Sequence, residues 1–256
     1  QVVGVRPSKF ATWAEKSGLL HGERDVGEAA EWGIRLEPVI AAAAADRYGR
    51  KVEPSKPFTI TRRKDKPHIG CSLDAKIWMP EREDPGVLQI KATGSYKRKE
   101  WDPAPPLPFQ VQLQHEMLAS GLKWGCLVVR VGGNRLLGPF DSEVNQTFAE
   151  KLEADLDEFW EMVTKGVPPE LDDSEAALDA VSRMYLEGDL SSVVLDGKFC
   201  AIDDELQSLK ETHKEREKRI ELLKAEVKLA MGPAAVGLLP HGRGHYMLRD
   251  VAGSTY

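Results

Sequence analysis

The sequence predicts an α/β fold: a mixed central β-sheet flanked by helices, followed by a helical C-terminal extension. Three observations predict it. Short apolar segments of strand character alternate with longer helical ones up to about residue 142. One of them, residues 124–131, is apolar almost throughout, as a strand covered on both faces is. Beyond residue 143 the strand signals give way to charged amphipathic patterns. A chain of 256 residues can hold one sizeable core plus an extension, so we divide it into 1–142 and 143–256 and expect the second part to pack on the first.

Residues 7–18 read as an entry helix and loop. Residues 26–48 form a long helix, favoured by the alanine run Ala41–Ala45 and stopped at Gly49. Residues 58–61 suit a short strand. Across residues 69–77 the apolar side chains fall on odd numbers, and Gly70, Ser72, Asp74 and Lys76 on even ones. That period of two predicts a half-buried strand with Asp74 opposite the core face. Residues 80–86, rich in proline, glycine and acids, make a turn. The return strand, residues 87–93, puts Gln89 and Lys91 on one face and Leu88 and Ile90 on the other. A hairpin of ordinary size therefore brings Asp74, Gln89 and Lys91 to one wall.

A proline-rich loop follows at 102–108, too stiff for helix. A helix over 109–120 ends at Gly121, strand 124–131 comes next, and Gly132-Gly133-Asn134 turns into a strand over 135–140. In the extension, 143–165 is an acidic amphipathic helix broken at Pro168 and Pro169, and 174–187 a further helix. Ile202, Leu206, Leu209, His213, Arg216, Ile220, Leu223, Val227 and Ala230 step by four and three in turn, a heptad seam with two polar interruptions. It can pair within the chain or with a second subunit; an intrachain partner is the expectation. Tyr246-Met247-Leu248 suits a short closing strand or hairpin.

The convergence of a carboxylate, an amide and an ammonium has chemical meaning. A hard divalent ion such as magnesium takes oxygen ligands and keeps several waters. Such an ion beside a phosphodiester neutralises developing charge and acidifies a water, and a nearby lysine adds to that stabilisation. A glutamine in place of a second carboxylate keeps a carbonyl oxygen but removes a full charge. A lone Asp or Lys on a strand is ordinarily a solvated surface residue.

The net charge of −6 argues against a general DNA-coating protein and leaves room for a localised basic groove. The run Tyr96, Lys97, Arg98, Lys99 beside Trp101 is the best candidate for phosphate contact and stacking on an end base; Arg62 and Arg63, in the basic loop before His68, are further candidates. The three cysteines (Cys71, Cys126, Cys200) are too few for the four ligands of an iron–sulfur cluster. Cys71 and Cys126 lie in apolar strand patterns and are expected as buried thiols. No secretory signal or membrane-spanning run is visible, which fits a reducing cytoplasm.

Four pieces in order complete the argument: Trp32-Gly33-Ile34-Arg35-Leu36-Glu37-Pro38, Ser72-Leu73-Asp74, Leu88-Gln89-Ile90-Lys91 and Pro108-Phe109-Gln110-Val111-Gln112-Leu113-Gln114-His115. Together they resemble the lambda-exonuclease-like (YqaJ) viral recombinase family of the PD-(D/E)XK nuclease superfamily, over roughly residues 6–132. The resemblance implies a restriction-endonuclease-like core, with Asp74, Gln89, the Ile90 carbonyl and Glu37 around Mg2+ or Mn2+, and Lys91 as the catalytic lysine. Gln89 stands where the family has an acid. Gln112 would orient the lysine, water or phosphate, with Gln110 and Gln114 as alternatives; Arg6 is a candidate for a 5′-phosphate.

The function implied is a phage- or prophage-encoded exonuclease degrading linear double-stranded DNA, 5′ to 3′, in the bacterial cytoplasm. A trimeric ring and a single-strand annealing partner are implied by resemblance alone. Gln89 predicts weakened metal binding and slowed or lost turnover, with DNA binding kept. The alternative is a DNA-end-binding protein without turnover. A restriction-type endonuclease is disfavoured, because the first and fourth pieces resemble the exonuclease branch.

Overall fold

In the computed structural model, which describes residues 8–20, 27–56, 58–186 and 191–247, the elements run in chain order as follows. They are α1 (Lys9–Lys16), α2 (Gly27–Tyr48), β1 (Lys51–Pro54), β2 (Thr61–Arg62), β3 (Gly70–Cys71), β4 (Ala75–Trp78), β5 (Gly86–Thr93), a 3-10 helix (Ser95–Trp101), α3 (Leu107–Ser120), β6 (Trp124–Val131), β7 (Arg135–Glu143), α4 (Gln146–Lys165), α5 (Glu175–Met184), α6 (Lys198–Met231), β8 (Val236–Leu238) and β9 (His245–Met247), with one further 3-10 turn at Pro240–Gly242. The chain divides into two compact units, 1–188 and 189–256.

The first unit is built on a five-stranded sheet in the order β1-β4-β5-β6-β7. β5 is antiparallel to β4 and parallel to β6, while β1–β4 and β6–β7 are antiparallel, so the sheet is mixed, in agreement with the class the sequence predicts. The parallel step from β5 to β6 is made by α3, as parallel neighbours require a crossover. α2 and α3 cover opposite faces. Ile40, Ala41 and Ala44 of α2 pack on Ala75, Ile77, Leu88, Ile90, Cys126 and Val128. Leu113 and Met117 of α3 pack on Leu73, Val87 and Leu127. The two faces of β5 therefore separate as its alternation predicts.

Two backbone features seat the helices. Pro38 lies inside α2, and every buried residue of that helix follows it, so the alanine-rich half docks on the sheet. α3 comes close to β6 at Gly125: a β-carbon there would lie 2.6 Å from Leu113 Cδ1 and 3.2 Å from the Val87 carbonyl oxygen. α3 ends at Gly121 in the left-handed region, φ +76°, which glycine adopts without strain.

The strand expected over 69–77 is interrupted. β3 pairs with β2 in a separate two-stranded ribbon, and β4 begins only after Asp74. The odd-numbered residues do not share one face: Leu73 joins the α3 side and Ala75 the α2 side. The short strand expected at 58–61 forms instead at β2. α4 and α5, capped by Asn145 and Ser174, pack with α1 in the first unit, where Phe10, Trp13, Ala14, Phe159, Ala177 and Ala180 make a separate buried cluster. The predicted helices over 143–165 and 174–187 are thus present, slightly shortened, and lie in the same unit as the sheet.

In the second unit, α6 runs for 34 residues and buries none of them. Ile202, Leu206, Leu209, Ile220 and Leu223 of the heptad seam are exposed. β8 and β9 form an antiparallel hairpin, pairing Val236 with Met247 and Leu238 with His245. It contains Tyr246 and Met247 of the expected closing strand; Leu248, like Arg6, lies outside the described residues. No helix among the described residues is long and apolar enough to cross a membrane.

Candidate active site

Asp74 is the last residue of the break between β3 and β4, and its carboxylate turns across the end of the β4–β5 ladder. The last residue pair of that ladder is Ala75 with Leu88. Just beyond it, Asp74 Oδ2 accepts a hydrogen bond from the Ile90 backbone N–H at 2.7 Å and another from Gln89 Nε2 at 2.6 Å. Burial raises the Asp74 pKa, opposed by the Ile90 hydrogen bond, the charge of Lys91 and the Gln89 hydrogen bond. Residues 74 and 89 therefore touch, and Lys91 lies within electrostatic reach of Asp74. Lys91 Nζ sits 5.5 Å from the centroid of the Phe109 ring, a cation–π distance.

Gln89 is only 1% exposed although it is polar. It lies on the α3 side of β5. Its Nε2 is taken by Asp74, whereas its buried Oε1 has no hydrogen-bond partner among the described residues. Such an orphan is uncommon in folded proteins and demands an explanation.

Glu37 reaches the site from the other face, off α2. It is half-buried; burial raises its pKa, the charge of Asp74 raises it further, and Lys91 opposes both. The first, second and third motifs thus meet at one centre, around Asp74 and Lys91.

The three glutamines of α3 part company. Gln110 Nε2 donates to the Pro105 carbonyl, while Gln114 donates to the Glu143 carbonyl and accepts from the Asn145 N–H. Both brace the protein. Gln112 alone turns inward, donating from Nε2 to Glu116 Oε1 at 3.0 Å. His115 is held neutral more firmly than usual, its pKa lowered by burial.

Glu116 is the residue that sequence reasoning missed. It is 2% exposed, and its Oε2 has no hydrogen-bond partner among the described residues. Its pKa is pushed up to about 8, by burial first and then by the charge of Asp74; the Gln112 hydrogen bond and Lys91 pull the other way. The available signal was its position one helical turn beyond Gln112, on the stripe of Leu113, Met117 and Ser120 that turns inward.

The donor set suits a hard divalent cation. Asp74, Gln89 Oε1, Glu116 and Glu37 all offer oxygens, and two of these buried oxygens lack hydrogen-bond partners among the described residues. No group of three or more His, Cys, Asp or Glu that could hold a metal occurs among the described residues. Asp74, Glu37 and Glu116 do not form such a cluster by themselves, and the amide at 89 leaves β5 without a carboxylate to add to one.

The nucleic-acid candidates divide. Lys97, Arg98 and Lys99 are exposed along the 3-10 helix after β5, together with Tyr96. Trp101, expected to stack on a base, is instead 3% exposed, packed against Phe109 with centroids 5.1 Å apart and against Phe140. An indole in that position belongs to the core. Arg63, expected on DNA, is held by Glu153 and Asp65, each at 2.5 Å. Lys66 joins Glu153 and Asp157, and His68 meets Asp157 at 2.8 Å while stacking on Trp160. Arg63 thus clasps the loop to α4. Arg62 is exposed and donates to the Pro67 carbonyl. Cys126 is buried as expected, whereas Cys71 is only half-buried.

A mixed-sheet core with a carboxylate, a buried amide and a lysine near its central hairpin defines an α/β fold with one polar centre. The crystal structure of LHK-Exo in complex with dAMP shares this fold, with TM-score 0.53 and 17% identity over 65% of this chain and 85% of that one. An alkaline exonuclease (LHK-Exo) structure from Laribacter hongkongensis aligns with TM-score 0.49 and 14% identity, covering 62% of this chain and 93% of that one. Residues 1–123 match the YqaJ-like viral recombinase domain. Among curated proteins, "Uncharacterized protein YqaJ" of Bacillus subtilis (strain 168) is 30% identical over 182 residues, which cover 70% of this chain and 55% of that protein. The chain therefore spans about half the length of that relative.

Proposed function

We propose that the chain is a metal-dependent deoxyribonuclease that degrades linear double-stranded DNA from its ends, 5′ to 3′, in phage-type recombination. The observation that carries this reading is the contact of Asp74 with both Gln89 and the Ile90 amide, next to Lys91. Asp74, Gln89 Oε1, the Ile90 carbonyl and Glu37 would hold Mg2+, with Mn2+ as a substitute. The ion, when bound, neutralises phosphate charge and acidifies a water.

The chain's own residues do the rest. Lys91, braced over Phe109, presents its ammonium to the negative phosphate. Gln112 fixes the buried carboxyl of Glu116. Arg62, Lys97, Arg98 and Lys99 contact the DNA backbone from outside. A trimeric ring, a single-strand annealing partner and action in the bacterial cytoplasm complete the proposal, on family resemblance.

One observation favours a second reading. Gln89 Nε2 occupies an oxygen of Asp74, so a site one charge short is also partly satisfied internally. A protein that binds DNA ends without turnover fits that arrangement. Incubation of linear and closed-circular duplex with Mg2+ separates the two. Loss of linear DNA alone supports the exonuclease, and cutting of circles refutes it. End binding without product, with hydrolysis gained in Gln89→Glu, selects the binding protein.

A further inference from the structure

We propose that Glu116 brings to the metal site, from helix α3, the full negative charge that strand β5 lacks at Gln89. The inference rests on the metal-site reading above. Three observations carry it.

The first is placement. Gln89 lies on the α3 side of β5, and α3 packs directly on that side through Leu113 and Met117, which bracket Glu116 in sequence. Glu37 arrives from the opposite face, off α2. A charge from Glu116 therefore replaces one on the face that Gln89 left neutral, which Glu37 cannot do.

The second is the pair of orphaned oxygens. Gln89 Oε1 and Glu116 Oε2 belong to side chains more than nine-tenths buried, and both lack a hydrogen-bond partner among the described residues. An amide oxygen and a carboxylate oxygen left unsatisfied beside the same aspartate share a natural explanation, a hard cation that accepts both.

The third is support. Gln112 donates to Glu116 Oε1 and leaves Oε2 available. Metal ligands are commonly oriented by this kind of outer hydrogen bond. A carboxyl buried with nothing to meet its second oxygen carries an unrepaid desolvation cost.

The charge has moved rather than vanished, so exchanging the residue types at 89 and 116 should preserve the site. Calorimetric titration with Mn2+ alone, without DNA, provides the test. Wild type binds, and Asp74→Asn loses binding. Glu116→Gln weakens it about tenfold or more. The exchange variant, Gln89→Glu with Glu116→Gln, recovers affinity to within a few-fold of wild type.

If Glu116→Gln binds Mn2+ as wild type does while Asp74→Asn does not, Glu116 is no part of the site and this proposal fails alone. If wild type itself shows no Mn2+ binding, the metal-site reading fails and takes the proposal with it. A manganese-soaked crystal of the unaltered protein gives an answer independent of how the variants fold. An anomalous peak touching Glu116 directly or through one water supports the proposal, and a peak reached only by Asp74 and Gln89 overturns it.

Discussion

At the scale of single residues, the site places its polar groups where water is scarce, and this has measurable results. Lys91→Ala removes the ammonium beside Asp74 while leaving the sheet intact. On the nuclease reading, hydrolysis of linear duplex by the Gln89→Glu protein should fall by about a hundredfold or more when Lys91→Ala is added, with DNA binding retained in a gel-shift assay. Glu116 adds a pH dependence to folding. Its carboxyl is pushed up to about 8 from an ordinary 4.5, so the folded protein holds that proton more tightly than the unfolded chain. The associated stability is complete below 4.5 and is lost as pH rises through 8. Asp74 and Glu37, also raised, act in the same direction. The unfolding temperature of the metal-free protein should decline across that window, and Glu116→Gln should flatten the decline; a flat wild-type profile refutes this. The contact between 74 and 89 was legible only in part: a short turn brings the two segments together and the alternation of β5 holds, but the strand expected over 69–77 breaks before Asp74. Glu116 was not legible, because the rotation of a helix over a sheet is set by packing at points such as Gly125. Trp101 misled for a related reason: an aromatic beside a basic run looks solvent-facing until its partners Phe109 and Phe140 are known.

At the scale of elements, the loop between β2 and β3 is joined to α4 by charge. Glu153 and Asp157 are held below the usual carboxylate range, each chiefly by its hydrogen bond to Lys66 and further by Arg63 or His68 respectively. A depressed carboxylate stabilises the fold above its unfolded pKa, and that contribution is lost as pH falls through the lower, folded value. The pairs are partly exposed, so Glu153→Gln should cost only about 1 kcal/mol or less near neutrality. That cost should vanish in acid, once pH falls below the lowered, folded pKa values and the wild-type carboxylates are themselves protonated. Trp160, stacked on His68, reports the clasp by its fluorescence, and a cost that persists in acid would contradict the ion-pair explanation. The sequence marked this loop as basic, which is also how a nucleic-acid contact looks. Only the fold reveals that the opposing acids of α4 lie beside it.

At the scale of the whole molecule, the four buried clusters draw only on residues between Phe10 and Ala180. The first unit therefore contains its own core. A fragment ending at Gly188 should unfold cooperatively in calorimetry, at the temperature of the corresponding transition in the full chain; a noncooperative fragment would show that the core depends on later residues. The change of composition near residue 143 is real, but it marks the end of the sheet. The compact unit continues because Phe10 and Trp13 of α1 find their partners in α4 and α5. Amphipathic periodicity identified those helices without saying which apolar surface they would cover.

The hydrogen bond between Asp74 and the Ile90 amide links strand architecture to acid chemistry in a single proton. Replacing the aspartate by alanine would strand a main-chain donor at the ladder's end and confuse a chemical defect with a structural one, so asparagine is the cleaner probe. The same bond offers a spectroscopic window. The Ile90 amide resonance should follow the ionisation state of Asp74, and any cation arriving there, before a single phosphodiester is broken.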